Sequence, residues 1–219
     1  MSTYSVQSAN QATLATNKLI RNTYALLSMT LVFAGVMAFV GIVSGIGHGV
    51  ALIADIVAIV MLWFVLPRTA NGAAGIPVMF AITGLLGFGL GPVLNYYLSV
   101  NPSIVMMALG GTGVIFFGLS GYALTTRKDF SFMSGFLMVG GLVLMGGVIL
   151  SLIFDLGVFR TAISAGFVIF ASCAILWQTS AIIHGGETNY IRATVSLFVS
   201  IYNLFMSLLH LLTAFGGDD

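Results

Sequence analysis

Long apolar runs alternate along the chain with short polar breaks. A helix that crosses a bilayer needs about 20 mostly apolar residues. Seven runs meet or nearly meet that length: 24–44, 50–66, 73–98, 104–124, 132–154, 161–183 and 194–215. The breaks read "SGIGHG", "PRTANG", "SVNPS", "TTRKDFS", "DLGVFR" and "HGGETNY", all rich in turn-forming residues. The pattern predicts an all-α integral membrane protein, a bundle of seven transmembrane helices. Loops this short leave no room for a second folded domain. The expected organisation is a polar tail over 1–22, a transmembrane domain over 23–215 and a short outer tail over 216–219. No tandem repeat of fixed period and no inverted duplication is evident.

Composition supports lipid as the solvent. The chain has 219 residues, 59% hydrophobic and 6% charged, with a mean hydropathy of +1.11. A soluble domain is about half apolar and roughly a quarter charged. The net charge is +1 with no basic block, which argues against a nucleic-acid partner. The single cysteine, Cys173, lies in an apolar run and reads as a small core hydrophobe. No Cys/His set has zinc spacing, so neither a metal nor a cofactor is expected.

Charge distribution sets an expected direction. Lys18, Arg21, Arg68, Arg127, Lys128 and Arg192 all fall on one side of a seven-span path, and Arg160 alone on the other. Basic residues concentrate on the cytoplasmic side. The expected topology has the N-terminus in the cytoplasm and the acidic C-terminus outside. The first 22 residues lack the apolar middle and cleavage site of a signal peptide and read as a soluble, mobile tail.

Several polar and small residues stand out within the spans. Gly84, Gly87 and Gly91 are spaced for helix packing, and Pro92 is expected to bend the third span, freeing a carbonyl that a neighbour must meet. In the last span Ser196, Ser200, Asn203, Ser207 and His210 step by four, three, four and three, which makes one polar stripe. That stripe must face protein or water, and it makes the last helix the candidate centre of the bundle. It reads either as interhelical hydrogen-bonding glue or as the wall of a polar path. Gln178 and Ser200 fall at similar depths of an antiparallel hairpin and can face each other. Asp55, a carboxylate within the second span, is either functional or placed in a watery vestibule. Asp155 and Arg160 read as interface residues, and Asp129 and Ser131 as the start of the fifth helix. His184, Glu187 and Arg192 cluster in the polar turn between the last two spans.

One pattern suggests an enzyme. "GLSG", with Ser120, matches the GxSG of intramembrane serine proteases, and His184 ends a span on the same expected side. A chain with 27 glycines produces such matches easily. "HGGE" lacks the zincin spacing, and no phosphate or dinucleotide loop follows a strand. The chain is not expected to be an enzyme.

Longer segments carry a family resemblance. "FAITGLLGFGLGPVL" resembles the Gly-Pro segment of the Bax inhibitor 1 family, the transmembrane BAX inhibitor motif proteins. "ILWQTSAIIHGGETNYIRATVSLFVSIYNLFMSLL" is similar to that family's last two helices. "NKLIRNTYALLSMTL", "ALTTRKDFSFM" and "HGGETNYIRATVSL" resemble its proteobacterial branch, modulators of the membrane protease FtsH. The resemblance implies a multi-pass protein of the bacterial inner membrane. Its implied partners are the bilayer, FtsH and that protease's membrane regulators; nothing sets the oligomeric state. Some family members are pH-sensitive calcium leaks gated by an aspartate pair. The matching positions here are Gln178 and Ser200, beside Tyr202 and Asn203, and neither is acidic. A Gln–Ser pair does not change charge with pH and is a poor calcium site. The branch instead implies engagement of FtsH as a slowly degraded substrate that occupies and so restrains the protease. A cation leak weakened by loss of the acids is the alternative.

Overall fold

The computed structural model describes the backbone of residues 2–154 and 158–216, and the side chains of 13–151, 154 and 159–216. Asp155 and the acidic end at 217–219 lie outside the described residues. Seven helices are long and apolar enough to cross a membrane. They are α1 (Ser2–Val43), α2 (His48–Thr69), α3 (Gly75–Val100), α4 (Pro102–Thr126), α5 (Met133–Ile153), α6 (Val158–His184) and α7 (Tyr190–Gly216). Each matches one apolar run, and apart from the start of α1 the ends shift by a few residues.

The largest shift is at the start. The polar segment read as a separate tail is continuous helix with the first span. It contains neither glycine nor proline, so nothing in it terminates a helix. Asp129 also differs from its expected role. Its Oδ1 accepts the Ser131 N–H at 2.8 Å in a turn, and the helix begins only at Met133.

Two helices are irregular, each beside a proline. In α2 the backbone widens to a π turn at Met61–Val65, where the Leu66 N–H reaches the Met61 carbonyl. Pro67 follows. A proline ring crowds the carbonyl four residues earlier, and a wider turn relieves that crowding. The Arg68 guanidinium donates to the Phe64 carbonyl and the Thr69 hydroxyl to that of Val65. In α3 the helix breaks at Leu90, giving Gly75–Gly89 and Gly91–Val100. Pro92 has no N–H to offer the Phe88 carbonyl. That oxygen lies against Gly41 of α1, so close that a Cβ on Gly41 would sit 2.5 Å from it.

The chain forms two compact units, 1–92 with 181–198, and 93–180 with 199–219. In the first, α1 and α2 pack on the first half of α3. Apart from Leu27 and Leu66, the apolar residues they bury are small: Ala34, Ala38 and Gly41 on α1, and Ala51, Ala54 and Ala58 on α2. Most of their large residues point outward; Val32, Val36, Phe39, Leu52, Ile53 and Ile56 are all exposed. This reverses the pattern of a water-soluble helix and suits a lipid surround. A Cβ at Gly87 would run into the Ala34 backbone, one at Gly91 would sit 2.6 Å from the Gly41 carbonyl carbon, and one at Gly84 would meet the Phe33 ring.

In the second unit α5 and α6 interlock by side chain and notch. Phe170 lies over Gly141, Ile163 over Gly147, and Leu144 over Gly166. None of the described side chains of α5 is buried. Helix α4 starts with Asn101, whose side chain accepts the Ser103 N–H at 3.1 Å. It ends at Arg127, in the left-handed region with φ of 49°.

The glycine contacts give a direct expectation. Replacing Gly87 by Ala should cost about 1–3 kcal/mol of stability, because the backbone of α1 must move. Gly35→Ala, at a site with nothing within 4 Å, should be neutral or gain up to about 1 kcal/mol in helix propensity. Thermal unfolding of the detergent-solubilised protein compares the two. Equal shifts would contradict the packing described.

Candidate functional site

The polar turn between α6 and α7 is a hydrogen-bonded clamp. Helix α6 ends at His184, and Gly185 follows with φ of +80°, a conformation that glycine adopts without strain. The Glu187 carboxylate accepts the N–H groups of Thr188 and Asn189 at 2.9 and 2.8 Å, and pairs with Arg192 at 3.2 Å. Asn189 does more. Its Oδ1 accepts the Ile191 and Arg192 N–H groups and so caps α7. Its Nδ2 donates to the Ala70 carbonyl at 2.9 Å and to Asn71 Oδ1 at 2.7 Å. One side chain thus starts the last helix and ties it to the α2–α3 turn. One turn further on, the Thr194 hydroxyl is shared between the carbonyls of Tyr190 and Thr23. Reading the sequence singled out the charged Glu187 and Arg192 but passed over Asn189. An asparagine just before an apolar run was the available signal.

The second unit holds a cavity of about 710 Å³. Asn203, Ser207 and His210 of the expected polar stripe line it, with Tyr97, Arg160 and Ser164. Val148, Ile163, Phe167 and Met206 supply an apolar wall. The His210 and Tyr97 rings meet edge to face at 6.3 Å. The stripe itself is graded: Ser207 is buried, Ser196, Ser200 and Asn203 are half-buried, and His210 is exposed. Ser196, Ser200 and Tyr202 each have interaction partners. The cavity therefore gathers the far end of the stripe, from Asn203 onward.

Next to Gln178, which is buried, lie Thr179 and Ser180, also buried. Ser120 faces Thr179 with 3.5 Å between hydroxyl oxygens. The Ser180 hydroxyl accepts the Phe130 N–H at 2.9 Å and donates to the Lys128 carbonyl at 3.4 Å. It pins the α4–α5 loop to α6. Ser120 is only 2% exposed, which is a poor setting for a nucleophile that must meet a substrate.

Asp55 packs against α3 beside its break. A Cβ at Gly89 would collide with the Asp55 carboxylate, so the glycine makes room for the acid. The Asp55 Oδ1 is buried with no hydrogen-bond partner among the described residues. Neither member of this pair predicts the other from sequence, because their meeting depends on the register of α2 against α3.

The clamp makes a testable distinction. Asn189→Ala should cost about 1–2 kcal/mol, as loss of an N-cap does, and should speed hydrogen exchange at the Ile191 and Arg192 amides. Asn189→Asp keeps the accepting oxygen and loses the two Nδ2 donations. It should leave those amides slow while loosening the α2–α3 turn. Similar exchange at both amides in the two variants would contradict the capping role.

Comparison with known proteins agrees with this architecture. The family model described as inhibitor of apoptosis-promoting Bax1 matches residues 16–217. The chain is 50% identical over 200 residues, 91% of each chain, to the modulator of FtsH protease YccA of Escherichia coli K12. A sequence from Escherichia coli O6:H1, matched equally well, is named inner membrane protein YccA. An uncharacterized protein of Pseudomonas aeruginosa is 47% identical over 218 residues, covering 99% of this chain and 98% of its own. A family match over nearly the whole length, with a seven-helix apolar architecture, makes this chain a multi-pass membrane protein of the Bax inhibitor 1 family.

Proposed function

We propose that the chain is a bacterial inner-membrane protein that engages the membrane AAA+ protease FtsH and modulates it as a slowly degraded substrate. The observation that carries this is the 50% identity, over 91% of both chains, to a protein named for modulation of that protease. The reading places the N-terminus in the cytoplasm, in keeping with the six basic residues on that side against Arg160. It is not catalytic; its effect comes from occupying the protease.

Two physical features support the mechanism. The polar segment ahead of the first apolar run gives an unfoldase something to grip that does not have to be pulled from lipid. The close glycine contacts of α1 with α3 then resist extraction, because separating them breaks many dispersion contacts at once. A substrate that is gripped readily and unfolded slowly holds the protease and lowers its turnover of others.

Co-purification of the full chain with FtsH, with and without residues 1–17, tests the engagement. Deletion should weaken capture and lengthen the lifetime of the protein in cells with active protease. An unchanged half-life together with unchanged capture would sink the grip.

The second reading, a cation leak, draws on the polar cavity. No carboxylate is among its described lining residues, and Ca²⁺ favours several oxygens including carboxylates. The expected calcium flux in proteoliposomes is therefore low, and the Gln178→Asp/Ser200→Asp double variant should raise it. Flux in the natural sequence equal to that of the double variant would favour the leak.

A further inference from the structure

We propose that the cavity between α5, α6 and α7 binds the primary ammonium of a phosphoethanolamine headgroup. The inference is independent of the protease reading. It starts from where the cavity's hydroxyl hydrogens go. Ser151 donates to the Val148 carbonyl at 2.7 Å, Ser164 to Arg160 at 3.0 Å, Ser207 to Asn203 at 2.7 Å and Thr213 to Leu209 at 2.8 Å. A carbonyl oxygen only accepts, so in each pair the hydroxyl hydrogen is committed to its own helix. All four side chains line the cavity. Each has its one donor already used and keeps oxygen lone pairs, those of Thr213 shared with the Tyr97 hydroxyl that bonds to it.

Four neutral acceptors in the lining suit a ligand rich in donors. A primary ammonium carries three N–H groups and one positive charge. The Tyr97 and Phe167 side chains in the same lining add aromatic rings, whose faces attract a cation. A divalent metal is disfavoured, since no carboxylate is among the described lining residues. A sugar or other neutral polyol gains hydrogen bonds but carries no positive charge for the aromatic rings to attract.

The remaining lining says what the ammonium is attached to. Arg160 is the sole formally charged residue in that lining. A guanidinium has five N–H donors, and its planar fork suits phosphate oxygens. Val148, Ile163 and Met206 form an apolar flank, and their neighbours Ile149, Leu150 and Phe159 are exposed on helices that face lipid. An ammonium joined to a phosphate and then to acyl chains satisfies the acceptors, the arginine and the apolar flank together.

Methylation of the headgroup provides the test. The full chain in detergent is titrated with short-chain phosphatidylethanolamine, phosphatidylcholine and phosphatidylglycerol and read by native mass spectrometry. Choline has the same charge but no N–H, so the ethanolamine lipid should bind at least about ten-fold more tightly than the choline lipid, the worth of a hydrogen bond to a charged group. Phosphatidylglycerol, which lacks the ammonium, should bind no better than the choline lipid. Ser207→Ala, with the companion Asn203→Leu, should bring the ethanolamine lipid down to the level of choline. The lipid series on the unaltered protein needs no variant to fold. Soluble phosphoethanolamine separates the sources. If it displaces the lipid, the headgroup alone is the ligand; if it does not, the membrane lipid is; both uphold the ammonium site. Equal binding of all the lipids, tighter binding of phosphatidylglycerol, or no effect of the substitutions on a folded protein would overturn it.

Discussion

Close backbone approach without side chains between is the constraint on which the first unit depends. In water, helices join because their apolar faces escape solvent. In lipid that drive vanishes, and what remains is contact area and hydrogen bonding. The chain meets this by placing Gly87 on the Ala34 backbone and Gly91 on Gly41. The bulk that a soluble protein would bury, such as Val32, Phe39 and Ile53, is turned outward. Small residues inside and large ones outside are two sides of one solution.

The break in α3 follows from the same short segment. Pro92 withdraws a donor, and the Phe88 carbonyl it would have served lies against Gly41, where only a glycine leaves room. One residue after Phe88, Gly89 makes space for the Asp55 carboxylate from α2. Four glycines and a proline within 84–92 thus receive Phe33, Ala34, Asp55 and Gly41 in turn. Any added carbon in this run acts on the backbone of a neighbouring helix, not on a flexible side-chain tip, except at Gly84 and Gly89.

Much of this was legible in the sequence, and the illegible parts share a cause. Apolar run length located all seven helices, because a spanning helix has few alternatives in lipid. The spacing of Gly84, Gly87 and Gly91 marked a packing face, but spacing carries no information about its partner. Pro67 was visible, yet the π turn beside it depends on how the local backbone relaxes. The stripe on α7 was readable from Ser196 to His210. That Ser207 spends its hydrogen on its own helix was not, and this decides what the cavity can hold. Asn189 escaped notice because it is uncharged and its reach to Ala70 and Asn71 spans more than a hundred residues of sequence.

Function follows if a tightly packed bundle is hard to pull apart once an unfoldase has hold of one end. The packing and the protease effect then become one property, and loosening the first must weaken the second. Reconstituted FtsH degrading a second membrane substrate measures this directly, with the full chain or its Gly87→Ala variant added in equal amount. The account predicts that the natural chain slows degradation of the other substrate, while the variant is itself consumed faster and slows it less. Absence of any slowing, or equal slowing by a variant that is consumed faster, would contradict it.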